Sequence, residues 1–336
     1  MEDVVRLVHG NGGQYSAELM ANYIMPYFKN DLLAALHDGA QFEVPQGRMA
    51  FSTDSYVVTP AFFPGGNIGK IAVCGTVNDI TMNGGIPKYL SCSFIIEDGY
   101  PINNLIEITK TMGETAAAAG VQIVTGDTKV VEKGAVDGIY INTAGVGMIP
   151  ENVYINASRV KAGMDIILTG TLGDHAVAIM GSRFGITLPE SIKSDCAALN
   201  HMLHAALKKF PDDIVLLRDP TRGGLATALA EIAKQTNLGL LVEEEFIPVR
   251  EDVQALCSML GYDPLYLANE GKAILFVDPS KTEEIIFILQ KFEEGKNARR
   301  IGTTFDKNHG KVALKTALGG MRLLDALRDD QLPRIC

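Results

Sequence analysis

Four aspartates stand where their carboxylates could converge on one cation. Asp54 ends the strand-like segment AFSTDS, Asp127 follows the strand VQIVTG, and Asp219 follows the strand IVLLR. Asp79 lies on a helix that is apolar almost all round, where an unpartnered carboxylate is costly. Hard divalent cations prefer oxygen ligands, so the four together predict a Mg²⁺ site. Each one alone is as typical of a turn, or of a hydrogen bond to a neighbouring loop.

Glycine-rich turns are the second feature that could take part in chemistry. They lie at Gly10-Asn11-Gly12-Gly13, at 170–173 and at Gly223-Gly224. Such turns let backbone N–H groups converge on phosphate, and a helix N-terminus adds a favourable dipole. None matches a P-loop or a strand-flanked G-x-G-x-x-G, so the turns alone do not indicate a nucleotide.

The third feature is Cys336, the last residue of the sequence. A thiol on a mobile tail could visit a partner's active site and its own, as a carrier arm does, with its thiolate as nucleophile. The ordinary interpretation of such a residue is a frayed thiol without a role. The other cysteines lie in periodic apolar segments and are predicted to be buried small hydrophobes, without disulfides or zinc.

Composition narrows the class of partner. The 336 residues are 47% apolar, and 40 acidic against 30 basic residues give a net charge of −10. This balance argues against nucleic acid and anionic membranes as partners. No leader and no run of about 20 apolar residues is visible, so we expect a cytoplasmic protein with free thiols.

Hydrophobic periodicity predicts the elements that position these residues. Strands are predicted over 48–59, 89–97, 121–131, 138–149, 165–169, 214–218, 301–305 and 312–314. Helices are predicted over 67–83, 105–119, 196–209, 224–235 and 280–292, and one begins at Asp174. Ser280 and Glu283 form a capping-box pattern for the last helix. The mixed order favours an α+β or mixed α/β class, with a domain boundary in 150–163.

Taken in order, the segments HGNGG, FSTDS, GTVNDITMNGGIP, TGDTKV, GTLGDHA, RDPTRGGL, ANEG and PRIC resemble the HypE family of hydrogenase maturation proteins. The likeness runs from Gly10 to Cys336. This family is similar to aminoimidazole ribonucleotide synthetase, selenophosphate synthetase and thiamine-monophosphate kinase. The resemblance implies a two-domain α/β fold like that of the first of these enzymes.

The implied domains are an ATP-binding and dimerisation domain over 1–155, an α/β sandwich over 156–321, and a mobile tail over 322–336. The first domain is expected to form a β-barrel-like interface in a homodimer. The implied activity is that of a carbamoyl dehydratase. A HypF-type carbamoyltransferase loads Cys336 with a carbamoyl group, and ATP-dependent dehydration converts this thiocarboxamide to a thiocyanate. The cyano group then passes to a HypC–HypD complex for the iron of [NiFe]-hydrogenase.

The resemblance also implies roles for individual residues. Asp54, Asp79 and Asp219 are expected to bind Mg²⁺, with Asp127 as a further ligand. The nucleotide contacts expected are Gly10, Asn11, Gly12, Gly13, Asn78, Asn83 and Thr128. Glu270 is expected to be the base that removes the amide protons. Lys129 is expected to polarise the amide or stabilise the departing phosphate, with Lys133 as the alternative.

Two other functions remain open at this point. A small-molecule kinase or phosphoryl-transfer synthetase of the same superfamily would make Cys336 incidental. A non-catalytic maturation adaptor would need neither the aspartates nor a nucleotide.

Overall fold

The computed structural model describes residues 3–10, 13–34, 39–327, 332 and 334–336. The helices are α1 Gln14–Leu19, α2 Met25–Phe28, α3 Asp31–Ala34, α4 Ile68–Met82, α5 Ile102–Ala119, α6 Asp174–Phe184, α7 Asn200–Lys209, α8 Gly224–Thr236, α9 Glu251–Leu260 and α10 Thr282–Leu289. The strands are β1 Arg48–Tyr56, β2 Phe62–Phe63, β3 Gly66–Asn67, β4 Ile86–Glu97, β5 Gln122–Val131, β6 Ile139–Ile149, β7 Asp165–Leu168, β8 Ile214–Arg218, β9 Gly239–Glu243, β10 Ile274–Val277, β11 Arg299–Phe305, β12 Val312–Lys315 and β13 Met321–Leu324.

The first sheet has the strand order β1-β6-β4-β5, in which only the β4–β5 pair is parallel. One face packs on α4, which is buried almost all round and in turn packs on α5. Gly75 allows the close approach of α4 to β1, because a Cβ there would lie 2.2 Å from the hydroxyl of Tyr56. The opposite face, away from α4, is called the outward face below.

The second sheet has the order β13-β12-β9-β11-β7-β10-β8 and mixes parallel and antiparallel pairs. Its strands alternate between two cores, one under α8 and one under α7 and α10. In β7, for example, Ile166 and Leu168 enter the first core and Ile167 enters the second. The predicted mixed α/β class and the sandwich are thereby confirmed.

Three of the differences between predicted and observed boundaries have a physical reason in the structure. The helix expected from Cys196 begins at Asn200, because residues 194–199 are irregular and the side chains of Ser194 and Asp195 accept hydrogen bonds from the backbone N–H groups of Cys196 and Glu270. The Ser280 capping box does not form, since Ser280 Oγ donates to Asp278 at 2.7 Å instead. The tail predicted from residue 322 begins later, because β13 pairs with β12 up to Leu324.

The first sheet is open in the single chain, so the described residues of one copy do not form the predicted barrel. No helix in the described part of the chain is both long and apolar enough to span a membrane.

Candidate active site

A cleft of about 300 Å³ separates the end of α4 from the end of β8. It is lined by Asp79 and Asn83 on one side and by Arg218 and Asp219 on the other. Asp79 accepts a hydrogen bond from Ser52 Oγ at 2.7 Å, which fixes its carboxylate against β1. The cleft therefore brings together two of the predicted metal ligands.

The carboxylates in and beside this cleft repel one another. Burial raises the pKa of Asp219 to about 6, and the charges of Asp79 and Asp54 add to the rise while Arg218 opposes it. Burial also raises the pKa of Asp79, with a smaller contribution from Asp54. Three acidic groups in mutual electrostatic contact are an arrangement that a cation would stabilise.

The residues fit a magnesium ion that arrives with phosphate. Within the described ranges, no three His, Cys, Asp or Glu side chains converge closely enough to hold a metal on their own. Mg²⁺ usually takes one or two carboxylates together with phosphate oxygens and waters, rather than an all-protein cage. Asp79 and Asp219 would hold it, and Asp54 would reinforce the negative field. When bound, the ion would neutralise charge on the triphosphate.

Asp127 and Lys129 do not join this group within one chain. Strand β5 ends at Val131, as predicted, so both residues lie within the strand and Asp127 does not follow it. Asp127 pairs with Ser93 and Lys129 with Ile95, on the outward face. Asp54 lies on the other face, since it pairs with the buried Thr143, which bonds to α4. Lys129 Nζ binds Asp127 at 2.7 Å in an exposed ion pair.

Lys133, the alternative to Lys129, lies in the exposed turn after β5.

Glu270 is a buried carboxylate without compensation. Only 4% of the residue is exposed, and its Oε1 has no hydrogen-bond partner among the described residues. Burial, followed by the charges of Asp195, Asp219 and Asp54, raises its pKa well above the ordinary range. A carboxylate of this kind is a stronger base once it has lost its proton, as general-base catalysis requires.

The loop around Glu270 is held on both sides. Asn269 Nδ2 donates to the carbonyl of Pro220 at 3.0 Å, and Asn269 Oδ1 accepts from Gly173 N at 2.8 Å. Three segments singled out in the sequence, GTLGDHA, RDPTRGGL and ANEG, thus meet at one place. The sequence did not reveal Asn269 as the residue that joins them.

The end of the chain is docked beside this loop. The backbone N–H groups of Val57 and Thr59 donate to the carbonyls of Cys336 and Arg334, each at 3.2 Å. Arg334 Nε returns a bond to the Val57 carbonyl at 3.0 Å, and the side chain of Ile335 is buried in the core of the first sheet. The end of the chain, predicted to be a mobile carrier arm, therefore has an inward position in this structure.

The thiol of Cys336 lies in an unfavourable place for a thiolate. Burial is the first cause that raises its pKa, to about 12, and the charges of Glu270 and Asp54 also raise it while Arg222 lowers it. A cavity of about 60 Å³ adjoins the thiol and is lined in part by Arg222 and Gly223. Arg222 stands in RDPTRGGL, and its charge beside a glycine pair was a signal that the sequence interpretation did not use.

The predicted nucleotide contacts do not all lie at the cleft. Asn11 and Gly12 lie outside the described residues, whereas Gly10 packs on β5, where a Cβ would lie 2.7 Å from Val130 N. Gly13 precedes α1, Thr128 lies in β5, and Asn83 borders the cleft.

The side-chain amide of Asn78, another predicted nucleotide contact, is bound within the protein. Asn78 is 3% exposed, and its amide binds the backbone of Ala197 and Leu199 at 3.0 and 2.8 Å. A buried amide whose donor and acceptor both have partners serves to join α4 to the second half of the chain.

Comparison with known proteins defines the class. Residues 36–149 match the family described as AIR synthase related protein, N-terminal domain, and residues 161–315 match AIR synthase related protein, C-terminal domain. The two sheets and the acidic cleft between them are therefore those of an AIR synthase related protein.

More similar proteins define the family within this class. The carbamoyl dehydratase HypE of Bradyrhizobium diazoefficiens is 46% identical over 332 residues, which cover 99% of this chain and 96% of that protein. A crystal structure of the hydrogenase maturation protein HypE in complex with ATP matches with a TM-score of 0.95 at 44% identity, covering 98% of this chain and 99% of that one. A crystal structure of a HypE–HypF complex matches with a TM-score of 0.81 at 42% identity, covering 94% and 100%. The chain belongs to the HypE family of hydrogenase maturation proteins.

The charge of Asp219 is expected to lower the stability of the nucleotide-free protein. Its shift from 3.8 to about 6 corresponds to about 3 kcal/mol, absent below the lower value and fully present above the higher one. Asp219→Asn should therefore raise the free energy of unfolding at neutral pH by up to about that amount, with a gain that shrinks as the pH falls towards 4. Urea unfolding across this pH range measures it.

The exposed Asp306→Asn is the matched control and should leave the free energy of unfolding nearly unchanged. Added Mg²⁺ and ATP should stabilise the wild type but not the Asp219 variant. A variant that is less stable than wild type at neutral pH would show that the Asp219 charge is not repelled in this cleft.

Proposed function

We propose that this protein is a carbamoyl dehydratase that converts an S-carbamoyl group on Cys336 to an S-cyano group at the expense of ATP. The observation that carries the proposal is the position of Cys336, whose docked thiol lies within the electrostatic reach of the buried base Glu270. Family membership supports it, since relatives bear the name carbamoyl dehydratase and one solved relative is in complex with ATP.

The chemistry needs a better leaving group than an amide oxygen. Transfer of the γ-phosphoryl group of ATP to the carbamoyl oxygen, with loss of one N–H proton, gives an imidate phosphate and ADP. Loss of the second N–H proton forms the C≡N bond as the C–O bond breaks and inorganic phosphate leaves. The sum is thiocarboxamide plus ATP to thiocyanate, ADP and phosphate.

Groups around the docked thiol carry out each step. Glu270 accepts the protons, and burial raises its pKa, which makes its ionised form a stronger base. The Arg222 guanidinium beside the thiol offers donors to the oxygen that takes up the phosphoryl group. The docked tail holds the amide in one orientation, which removes the entropy cost of a free substrate.

Loading of the thiol must take place elsewhere. In the docked position the high pKa of Cys336 keeps its sulfur protonated and a poor nucleophile. We propose that the tail swings out to a HypF-type carbamoyltransferase, because a relative has been crystallised in a HypE–HypF complex. The cyano group then passes to a HypC–HypD complex, the acceptor that the family resemblance implies. The five free thiols favour action in the cytoplasm.

We further propose that the protein is a homodimer that pairs through the outward face. Met49, Phe51 and Ile95 are 44%, 68% and 41% exposed on this face, which is unusual for a single sheet surface. Asp127 and Lys129 lie at the same face, so pairing would move them from solvent to the contact with the second copy.

Phe51→Asp is therefore expected to dissociate the dimer, because it buries a charge at the centre of the interface. Light scattering should show a loss of the dimer at micromolar concentration. Phe287→Asp is the matched control, since Phe287 is 63% exposed but lies on α10, remote from the outward face. Equal dissociation by both variants, or by neither, would contradict this interface.

The experiment that tests the activity follows the mass of the peptide that carries Cys336 while ATP is hydrolysed. A carbamoyl adduct must lose water, and one phosphate must appear for each cyano group formed. Steady hydrolysis of ATP without any change on this peptide would favour the small-molecule kinase instead.

A further inference from the structure

His175 is a fully buried residue of α6 that joins the docked end of the chain to the rest of the site. Its Nε2 lies 2.8 Å from the carbonyl oxygen of Ile335, the residue before Cys336. Its Nδ1 lies 2.8 Å from Ser194 Oγ, and its ring packs edge-on against Phe63. The imidazole therefore has a defined place and two defined partners.

The protons in this chain of hydrogen bonds can be assigned from their partners. A carbonyl oxygen only accepts, so Nε2 of His175 must carry a hydrogen and donate it to Ile335. Burial lowers the pKa of His175, so the ring is neutral and Nδ1 accepts from the Ser194 hydroxyl. Ser194 Oγ in turn accepts from the N–H of Cys196 at 3.1 Å. Ser194 thus satisfies the second ring nitrogen in the tautomer that binds the tail.

Asp195, which lies between Ser194 and Cys196, holds the loop of the proposed base Glu270. The carboxylate of Asp195 accepts from the backbone N–H groups of Glu270 and Gly271 at 3.1 and 3.2 Å. Lys272 Nζ lies 3.1 Å from the same carboxylate and compensates its buried charge. Gly271 must be glycine here, because a Cβ would lie 1.9 Å from the Asp195 carbonyl. One short segment, 194–196, therefore contacts the Glu270 loop directly and the tail through His175.

We propose that His175 and Ser194 are positioning residues that seat Cys336, while Asp195 of the same segment fixes Glu270 opposite it. The docking contacts of His175 and Ser194, called the seat below, are independent of the proposed function. Only their consequence for catalysis rests on that function. Because the bond is made to a backbone carbonyl, the seat holds the tail whether its thiol is free or modified. A second donor to the tail comes from Arg183 of the same helix, which binds the Arg334 carbonyl at 2.8 Å.

The test of the seat is the rate at which iodoacetamide alkylates Cys336 in the full unmodified chain without nucleotide. The docked thiol is half-buried and its raised pKa keeps it protonated, so alkylation mainly reports the undocked fraction. His175→Leu removes the donor and should speed alkylation about tenfold, the effect of losing one hydrogen bond to a buried carbonyl. His175→Gln retains an N–H donor near the position of Nε2 and should react at close to the wild-type rate.

Two further variants guard the interpretation. His204→Leu removes a similar bond, from His204 Nε2 to the Gly85 carbonyl at 2.9 Å, remote from the tail, and should leave alkylation unchanged. Ser194→Ala removes the partner of His175 Nδ1 without removing the ring and should speed alkylation a few-fold. This variant tests the seat even if His175→Leu does not fold. Wild-type rates in both His175→Leu and Ser194→Ala, or equal acceleration by His175→Leu and His175→Gln, would overturn the proposal.

A second arm separates the seat from the proposed function. In chains already carbamoylated on Cys336, His175→Leu should slow dehydration, because the tail that remains docked has lost a bond that orients the amide towards Glu270, with the KM for ATP unchanged. Faster alkylation with unchanged dehydration would overturn the claim that the seat positions the thiol for Glu270. Failure of the carbamoylated wild type to dehydrate would refute the proposed function, whereas the alkylation result would still decide the seat.

Discussion

Replacement of Cys336 by serine is expected to abolish formation of the cyano product. A serine hydroxyl is a far weaker nucleophile than a thiolate, so the variant should not accept a carbamoyl group and should have no substrate to dehydrate. Binding of Mg²⁺ and ATP should persist, because the cleft that holds Asp79 and Asp219 does not include Cys336. Product analysis and calorimetric titration with ATP measure the two effects.

Cys257→Ala is the matched control, since Cys257 is a buried thiol of α9 and should be dispensable for product formation. Wild-type product from the Cys336 variant would refute the carrier role. Unchanged turnover of a free metabolite by that variant would establish the kinase alternative.

Replacement of Glu270 by glutamine should reduce dehydration by about 10²- to 10⁴-fold, the range for loss of a general base. The substitution preserves shape and burial, so loading of Cys336 by the transferase should be unaffected and the carbamoyl adduct should accumulate. In the wild type the rate should rise with pH through the raised pKa of Glu270, and the variant should lose this dependence.

Stability should change in the opposite direction from activity. The pKa of Glu270 is higher in the folded than in the unfolded chain, so its ionisation destabilises the fold increasingly as the pH rises above the unfolded value. Glu270→Gln removes this cost and should raise the melting temperature at neutral pH. Glu284→Gln, at an exposed site on α10, is the control for both measurements. A Glu270 variant with full activity would exclude this residue as the base.

The periodicity of the sequence predicted most of the fold. The segment ending at Gly120 reads as a helix because its apolar residues repeat at the helical period, and Gly120 adopts the left-handed conformation that ends α5. Other elements gave weaker signals. The segment of β13 predicts a tail because its apolar residues stand beside arginine and aspartate, and its pairing with β12 is not visible in the local pattern.

The residue types of the candidate site could be predicted from the sequence. Which face of its strand each side chain occupies could not. Asp219 directly follows β8, so its position at a strand end could be deduced from the sequence. Asp127 could not be placed, because a shift of one residue moves a side chain to the other face of a strand. His175 and Asp195 gave no signal, since their roles depend on a docked tail and on a loop far away in sequence.

The central claim is that the sulfur of Cys336 carries the group that is dehydrated. The most direct measurement is intact-mass analysis of the peptide containing Cys336 during incubation with a HypF-type transferase, carbamoyl phosphate, ATP and Mg²⁺. We predict an adduct of about +43 Da that is replaced by one of about +25 Da as ATP is consumed, the mass changes of carbamoylation and cyanation of a thiol. A stable +43 Da adduct in the presence of ATP, or cyanation of any other cysteine, would contradict the account.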